Sequence, residues 1–384
     1  MHRSFYALIC YSSRTERMVG VRGKTIHYYA AGNTAYGFYS LYDSVLDGLD
    51  RLFILKGGPG TGKSTMMKAI GEHFVARGYD IEYIHCASDD GSIDGVILTD
   101  ERIGVVDGTA PHVIEPKALK LIDEYVHLGD AIDRNKLLPY KNEILSLNER
   151  IGNEFHRAYD TFKKALLAHK EVENIYIKEM DFHAANLLTD DLIQRMFNGK
   201  TLTKKGKRKR RFLGAATPLG ARDFIPNLTE RIEKRYFIKG RAGSGKSTLL
   251  NKIAEVGLSS GYDVEVYHCG FDPKSLDMVI IPEISVAIFD STKPHEYFPS
   301  REEDELIDMY KHCFPPGTDE RYAAEIKRHT ETYRQRIREA TSHLKEAKSL
   351  RSQLESYYMN ATDFSKIDAI KDRLIEEIDA QLSE

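Results

Sequence analysis

The chain has 384 residues, with 55 Lys and Arg against 58 Asp and Glu, 41% hydrophobic residues and a formal net charge of −3. That length admits roughly two or three domains of ~150 residues, and the near-neutral charge excludes a general attraction to nucleic acid or an anionic membrane. Four cysteines (Cys10, Cys86, Cys269 and Cys313) are too scattered for a disulfide framework and suit a reducing compartment.

The apolar run from Phe5 to Tyr11 leads into "SSRTER" rather than small residues, so no secretory signal is expected. No segment reaches the ~18 apolar residues of a membrane helix, and a cytoplasmic location is expected. Residues 1–21 read as an extension or as an over-extended frame whose start is Met18.

A β-type run at Thr25–Tyr29 then passes through a Gly/Thr turn and a short helical patch to a strand at Leu52–Leu55. The loop "KGGPGTGKST" (Lys56 to Thr65) follows and opens a helix that Gly78 ends. A second strand spans Asp80–His85, and a third apolar strand closes on Asp107. Strands alternating with helices predict an α/β head with a parallel sheet and right-handed crossovers.

From about Lys141 the period changes. Ile144, Ile151, Ala158, Ala165 and Val172 recur as one heptad position, and Phe155, Phe162 and Tyr176 as another. Such spacing predicts a long helix with a coiled-coil-like seam, followed by a returning helix with Asp near its start in "MDF".

The whole order recurs 183 residues later. "KGRAGSGKST" (Lys239 to Thr248) answers the first loop, "GYDVEVYHC" answers "GYDIEYIHC", and "VAIFDSTKPH" answers "IGVVDGTAPH". The second heptad set is Tyr333, Ala340, Ala347 and Leu354 with Ile337, Leu344 and Tyr358. An internal duplication therefore divides the chain into a head over 22–116, a helical tail over 117–204, a second head over 205–299 and a second tail over 300–384. The two tails are expected either to bury each other as helical hairpins or to act as a lever.

Both loops fit G-x-x-x-x-G-K-[ST] between a strand and a helix. Gly57, Gly58, Gly60 and Gly62 let the backbone curl so that amide hydrogens, including those of Thr61 and Thr65, point at phosphate oxygens. Lys63 offers a positive charge to the β- and γ-phosphates, and Ser64 a ligand to Mg²⁺. Gly240, Gly243, Ser244, Gly245, Lys246, Ser247 and Thr248 repeat the set, with Arg241 replacing Gly58. Arg241 is left open as a phosphate contact or an exposed side chain. Asp107 and Asp290, each 44 residues after its loop lysine, are expected to reach the magnesium shell.

These motifs resemble those of the P-loop NTPase superfamily, with Asp107 and Asp290 in the Walker-B position. The layout from Lys24 onward is similar to that of a bacterial family of tandem P-loop ATPases. The resemblance implies ATP, Mg²⁺ and phosphoryl transfer to water or an acceptor. Subfamily marks are missing: no Glu follows Asp107 or Asp290, and neither N-K-x-D nor L-S-G-G-Q occurs. The group that orients a nucleophile is therefore sought among Asp89/Asp272, Asp94/Asp277 and His112/His295.

The pairs His85–Cys86 and His268–Cys269 put adjacent side chains on opposite strand faces, and with no further ligand cluster zinc is not expected. The run "KKGKRKRR" (Lys204 to Arg211) reads as a solvated connector, as an arginine source for the neighbouring half, or as a nucleic-acid patch. The reading that follows is a two-headed ATPase acting through an unidentified protein partner or acceptor, with no membrane. The rivals are a P-loop kinase and a nucleotide-gated interaction module with little turnover.

Overall fold

The computed structural model describes residues 22–383, so the extension over 1–21 lies outside the described residues. The first half runs β1 (Thr25–Tyr28), β2 (Ala31–Thr34), β3 (Gly37–Ser40), α1 (Tyr42–Val45), β4 (Arg51–Lys56), α2 (Lys63–Ala76), β5 (Ile81–His85) and β6 (Ile93–Leu98). It continues with β7 (Ile103–Asp107), β8 (Asp123–His127), α3 (Arg134–Leu137), α4 (Lys141–Glu179) and α5 (Phe182–Phe197). The second half repeats this with β9 (Arg208–Phe212), β10 (Gly214–Thr217), β11 (Gly220–Asp223), α6 (Ile225–Leu228), β12 (Lys234–Lys239), α7 (Lys246–Ser259) and β13 (Val264–His268). It closes with β14 (Leu276–Ile281), β15 (Val286–Asp290), β16 (Glu305–Asp308), α8 (Met309–Cys313), α9 (Thr318–Arg321), α10 (Ala323–Ala361) and α11 (Phe364–Ser383).

Each half builds a six-stranded sheet, ordered β1-β5-β6-β7-β4-β8 and β9-β13-β14-β15-β12-β16. The expected parallel sheet is mixed. β6 runs antiparallel to both β5 and β7, and β14 does the same between β13 and β15. The links either side of β6, over 86–92 and 99–102, hold no helix, and without a crossover neighbouring strands must reverse. The sheets also extend past the expected head boundaries at 116 and 299. β8 and β16 pair parallel with β4 and β12 as edge strands, so the segments expected to be wholly helical each begin with a strand.

β4 has Phe53, Ile54 and Leu55 fully buried, as a strand covered on both faces must. Met66, Met67, Ile70 and Phe74 of α2 cover one of those faces. The edge strands β1 and β9 meet at Tyr29 and Phe212, whose amides exchange hydrogen bonds of 3.0 Å. These residues hold the same position in their halves, so the halves face one another as two subunits do across a two-fold axis.

The long helices obey the same symmetry. α4 and α10, 39 residues each, lie antiparallel. Fully buried Ala158 and Ala340, again equivalent positions, share a cluster with Phe162, Leu166 and Leu344, while Ile144 and Leu147 pack near Leu350 and Leu354. Crossing at their middles, each helix carries its far end to the other half. The returning helices begin at Asp181 and Asp363, whose carboxylates accept from the amides of Ala184 and Ser365. They do not fold back to make self-contained hairpins. Leu192 and Phe197 of α5 join the core around Leu249, Leu250 and Ile253 of the second head, and Ile367, Leu374 and Ile378 of α11 join the core of the first. The outward faces of α2 and α7 are apolar, and these swapped helices bury them. No helix among the described residues is long and apolar enough to cross a membrane.

Candidate functional site

Each glycine loop leaves the C-terminal end of a central strand and opens a 14-residue helix. Gly60 and Gly62 adopt φ of 68° and 85°, and Gly243 and Gly245 adopt 72° and 81°, the left-handed backbone that side chains resist. A second demand on these glycines was not legible in the sequence. A Cβ on Gly60 would lie 2.7 Å from the Glu355 carbonyl oxygen, and one on Gly243 would lie 2.6 Å from that of Glu173. The arm of the opposite half is therefore packed directly on each loop.

Thr61 Oγ1 donates to the Gly58 carbonyl at 2.8 Å, tightening the first loop. The corresponding Ser244 Oγ is buried without a partner. Thr65 and Thr248 stand exposed on the first turns. The Lys63 ammonium donates to the Gly57 and Gly58 carbonyls at 3.1 and 2.8 Å and lies 3.6 Å from Asp107 Oδ2. Burial lowers its pKa from the ordinary value, against the opposing pull of Asp107. Lys246 donates to the Arg241 carbonyl at 2.9 Å and lies 3.5 Å from Asp290 Oδ2.

The other oxygen of each aspartate accepts from a threonine, Thr109 or Thr292, which fixes the carboxylate at its strand end. Ser64 Oγ accepts from the Ile93 amide at 3.0 Å, and Ser247 Oγ from the Leu276 amide at 2.9 Å. Lysine, serine and aspartate thus converge identically in both halves. The set fits a magnesium-bound polyphosphate: a buried ammonium beside a carboxylate, two left-handed glycines, and, in the second loop, an orphaned buried hydroxyl.

Asp94 and Asp277 sit on β6 and β14, strands that sequence reasoning missed, rather than after β5 and β13. His112 Nε2 lies 3.2 Å from Asp94. Burial opposes the Asp94 charge, but His112 beside it holds the carboxyl below its ordinary range. Burial likewise opposes the imidazolium, and Asp94 raises its pKa. In the second half His295 Nδ1 turns to Asp223 Oδ2 at 2.8 Å. Burial pushes Asp277 up to about 6; the nearby His295 offsets part of this and Asp290 adds to it. Asp89 and Asp272 are turn residues: Asp89 accepts from Ser92 and pairs with Lys348 of α10 at 2.6 Å, and Asp272 accepts from the Lys274 amide.

The arms close both sites. A cavity of about 1240 Å³ opens over the second loop, reaching Glu173 and Tyr176 of α4 and Arg334 and Arg338 of α10. It exceeds the ~300–1,000 Å³ of ordinary small-molecule sites. Over the first site stands Arg351 of α10, within electrostatic reach of Cys86, Glu355, Asp94 and Asp107. The residue matching Arg351 in the first arm is His169.

Arg241 is neither free nor simply exposed. Its guanidinium pairs with Asp319 at 2.7 Å and lies over the Tyr310 ring. The basic run is only in part a solvated connector. Arg208–Phe212 is an edge strand, and Arg211 is buried between Glu82 at 2.7 Å and Glu265 at 3.1 Å. Lys204 pairs with Asp263 and Glu283, and Arg208 with Glu255. The start of the run, Lys204 to Lys207, is largely exposed connector, whereas Arg211 is committed to its two glutamates and is no spare arginine.

No protein-family model matches the chain, and neither a curated protein nor a solved structure gives a significant match.

Proposed function

We propose that the chain binds two ATP·Mg²⁺ per molecule, one at each glycine loop, and that the crossed arms couple the two sites. The observation that carries this reading is the repeated convergence of a left-handed glycine loop, a helix N-terminus, a loop lysine and a strand-end aspartate. In this reading the loop amides and Lys63 or Lys246 hold the phosphates, releasing the loop carbonyls that the ammonium now holds. Ser64 with Asp107, and Ser247 with Asp290, hold the metal, which when bound draws negative charge from the phosphate oxygens.

Turnover is assigned to the second site. Asp277, whose histidine is hydrogen-bonded to Asp223 instead, is poised to take a proton from water, whereas Asp94 is committed to His112. The arm contacts on both loops favour coupling over two independent enzymes. Calorimetry with ATP and Mg²⁺ should give two equivalents for the native chain and one for either Lys63→Ala or Lys246→Ala. Phosphate release should survive Lys63→Ala and fail in Asp277→Asn. Two equivalents in either lysine variant, or none in the native chain, would sink the reading.

A further inference from the structure

The first half contains a group of side chains that nucleotide binding does not use. Cys86, directly after β5, Asp94 on β6 and His112, after β7, each present a donor atom within 4.8 Å of the others. Their separations in the chain hide this group from any short motif. Cys86 and Asp94 are buried, and the His112 side chain is 9% exposed.

Two polar atoms at this place have no partner: His112 Nδ1 and the hydroxyl of Tyr42, a residue 4% exposed. The Tyr42 ring meets the His112 ring edge-on at 5.5 Å, and Tyr42 lies within electrostatic reach of Asp94, Asp107 and Cys86. With Nε2 turned to Asp94, Nδ1 is not the ligating nitrogen, and the Tyr42 hydroxyl is the orphan that an ion or its water beside the donors would satisfy.

We infer that Cys86, Asp94 and His112 form a binding site for one zinc-class divalent ion. A thiolate, an imidazole and a carboxylate are the donor mixture that borderline-soft ions select over magnesium. The 3.2 Å between Asp94 and His112 is close to the ~3.3 Å that two such donors keep on one tetrahedral ion. Cys86 Sγ, within 4.8 Å of both, supplies the third ligand, and the fourth position falls to a water.

The nearby cations, Lys63 and Arg351, do not forbid the ion. Binding exchanges the thiol proton of Cys86 and the imidazolium proton of His112 for two positive charges, so the local net charge is unchanged. The second half supplies a control within the same molecule. It keeps Cys269, Asp277 and His295, but Asp223 holds His295 away and Ile225 stands where Tyr42 does. One site per chain follows, not two.

The inference needs no nucleotide, and its test uses none. Titrating the purified full-length protein with Co²⁺ should produce a thiolate-to-cobalt charge-transfer band that saturates at one equivalent. Cys86→Ser should abolish the band while circular dichroism shows the native fold. His112→Ala should weaken binding at least tenfold, and Cys269→Ser should leave both band and stoichiometry intact. A native protein without the band, a band that survives Cys86→Ser, or one lost in Cys269→Ser would overturn the assignment. Cobalt held only by the oxygen ligands Ser64 and Asp107 gives no such band and counts against it.

Discussion

The two halves share strand order, loop and lysine–aspartate geometry, yet their sites are wired differently. In the first, His112 pairs with Asp94; in the second, Asp223 draws the equivalent His295 away and Asp277 is left raised to about 6. The position of Asp223 is Ser40 in the first half, so one residue on the small β-hairpin decides which carboxylate is neutralised. The arms differ too. Arg351 reaches the first site, His169 occupies its counterpart, and α10 sends Arg334 and Arg338 to the second cavity, which Arg241 of the loop also lines. Subunits of a homodimer must change together, whereas copies fused in one chain can each change alone. The parts that stayed alike are the loop glycines Gly57, Gly60 and Gly62 with their counterparts, the lysine, the serine and the aspartate; the parts that diverged surround them.

The largest test breaks the seam where the halves meet. Arg211 and its counterpart Tyr28 are both buried against Glu82, so Arg211→Met leaves that carboxylate without its closest cationic partner. Chemical denaturation should show a loss of about 3–5 kcal/mol. Next in size, Asp94→Asn should cost about 2–3 kcal/mol near neutral pH by stranding buried His112.

Asp277→Asn should have the opposite sign. The folded-state pKa of Asp277 is raised from 3.8 to about 6, so its ionisation opposes folding increasingly as pH rises through that window and fully above it. The Asn variant should therefore gain about 3 kcal/mol at pH 7 and only about 0.5 kcal/mol at pH 4, read from denaturation midpoints measured without nucleotide. Equal signs for the two Asn variants would show that the histidine pairing does not distinguish the sites. Smallest, in a Lys246→Ala background, Arg351→Ala should weaken ATP binding at the first site about tenfold, near 1.4 kcal/mol. His169→Ala, in a Lys63→Ala background, should change the second site less than about threefold.

Strands with an uninterrupted apolar run were legible. The expected Leu52–Leu55 lies inside β4, and the apolar strand expected to close on Asp107 is β7. β6 was missed because "SIDGVIL" carries Asp94 in its middle, a carboxylate that reads as a turn until His112 is seen beside it. β8 was missed because "DEYVH" is an edge strand whose acidic residues face outward or bond to the backbone, as Asp123 does with the amides of Lys117 and Ala118. The β2–β3 hairpin passed as a turn because "AGNTAYGF" shows no alternation.

Heptad spacing marked the buried face of each arm. It did not say what lies against that face, so the swap of α5 and α11 onto the opposite heads was out of reach. The same holds for Arg211, whose partner Glu82 is 129 residues away, and for the Cys86, Asp94 and His112 group. At the loops, Lys63 and Ser64 lie within one strand–helix unit, while Asp107 was picked out as the end of an apolar strand at the same spacing in both copies and lies 3.6 Å from Lys63.

A stiff rod crossing the centre of the molecule has two ends but only one position. α4 touches the second loop at Glu173 while its partner α10 touches the first at Glu355, and the two helices are locked at Ala158 and Ala340. Sliding one past the other by a helical turn, about 5.4 Å, disturbs both loop contacts in the same stroke. Under the proposed coupling, an event at one loop would reach the other through these two crossed helices alone, with no diffusible messenger between them.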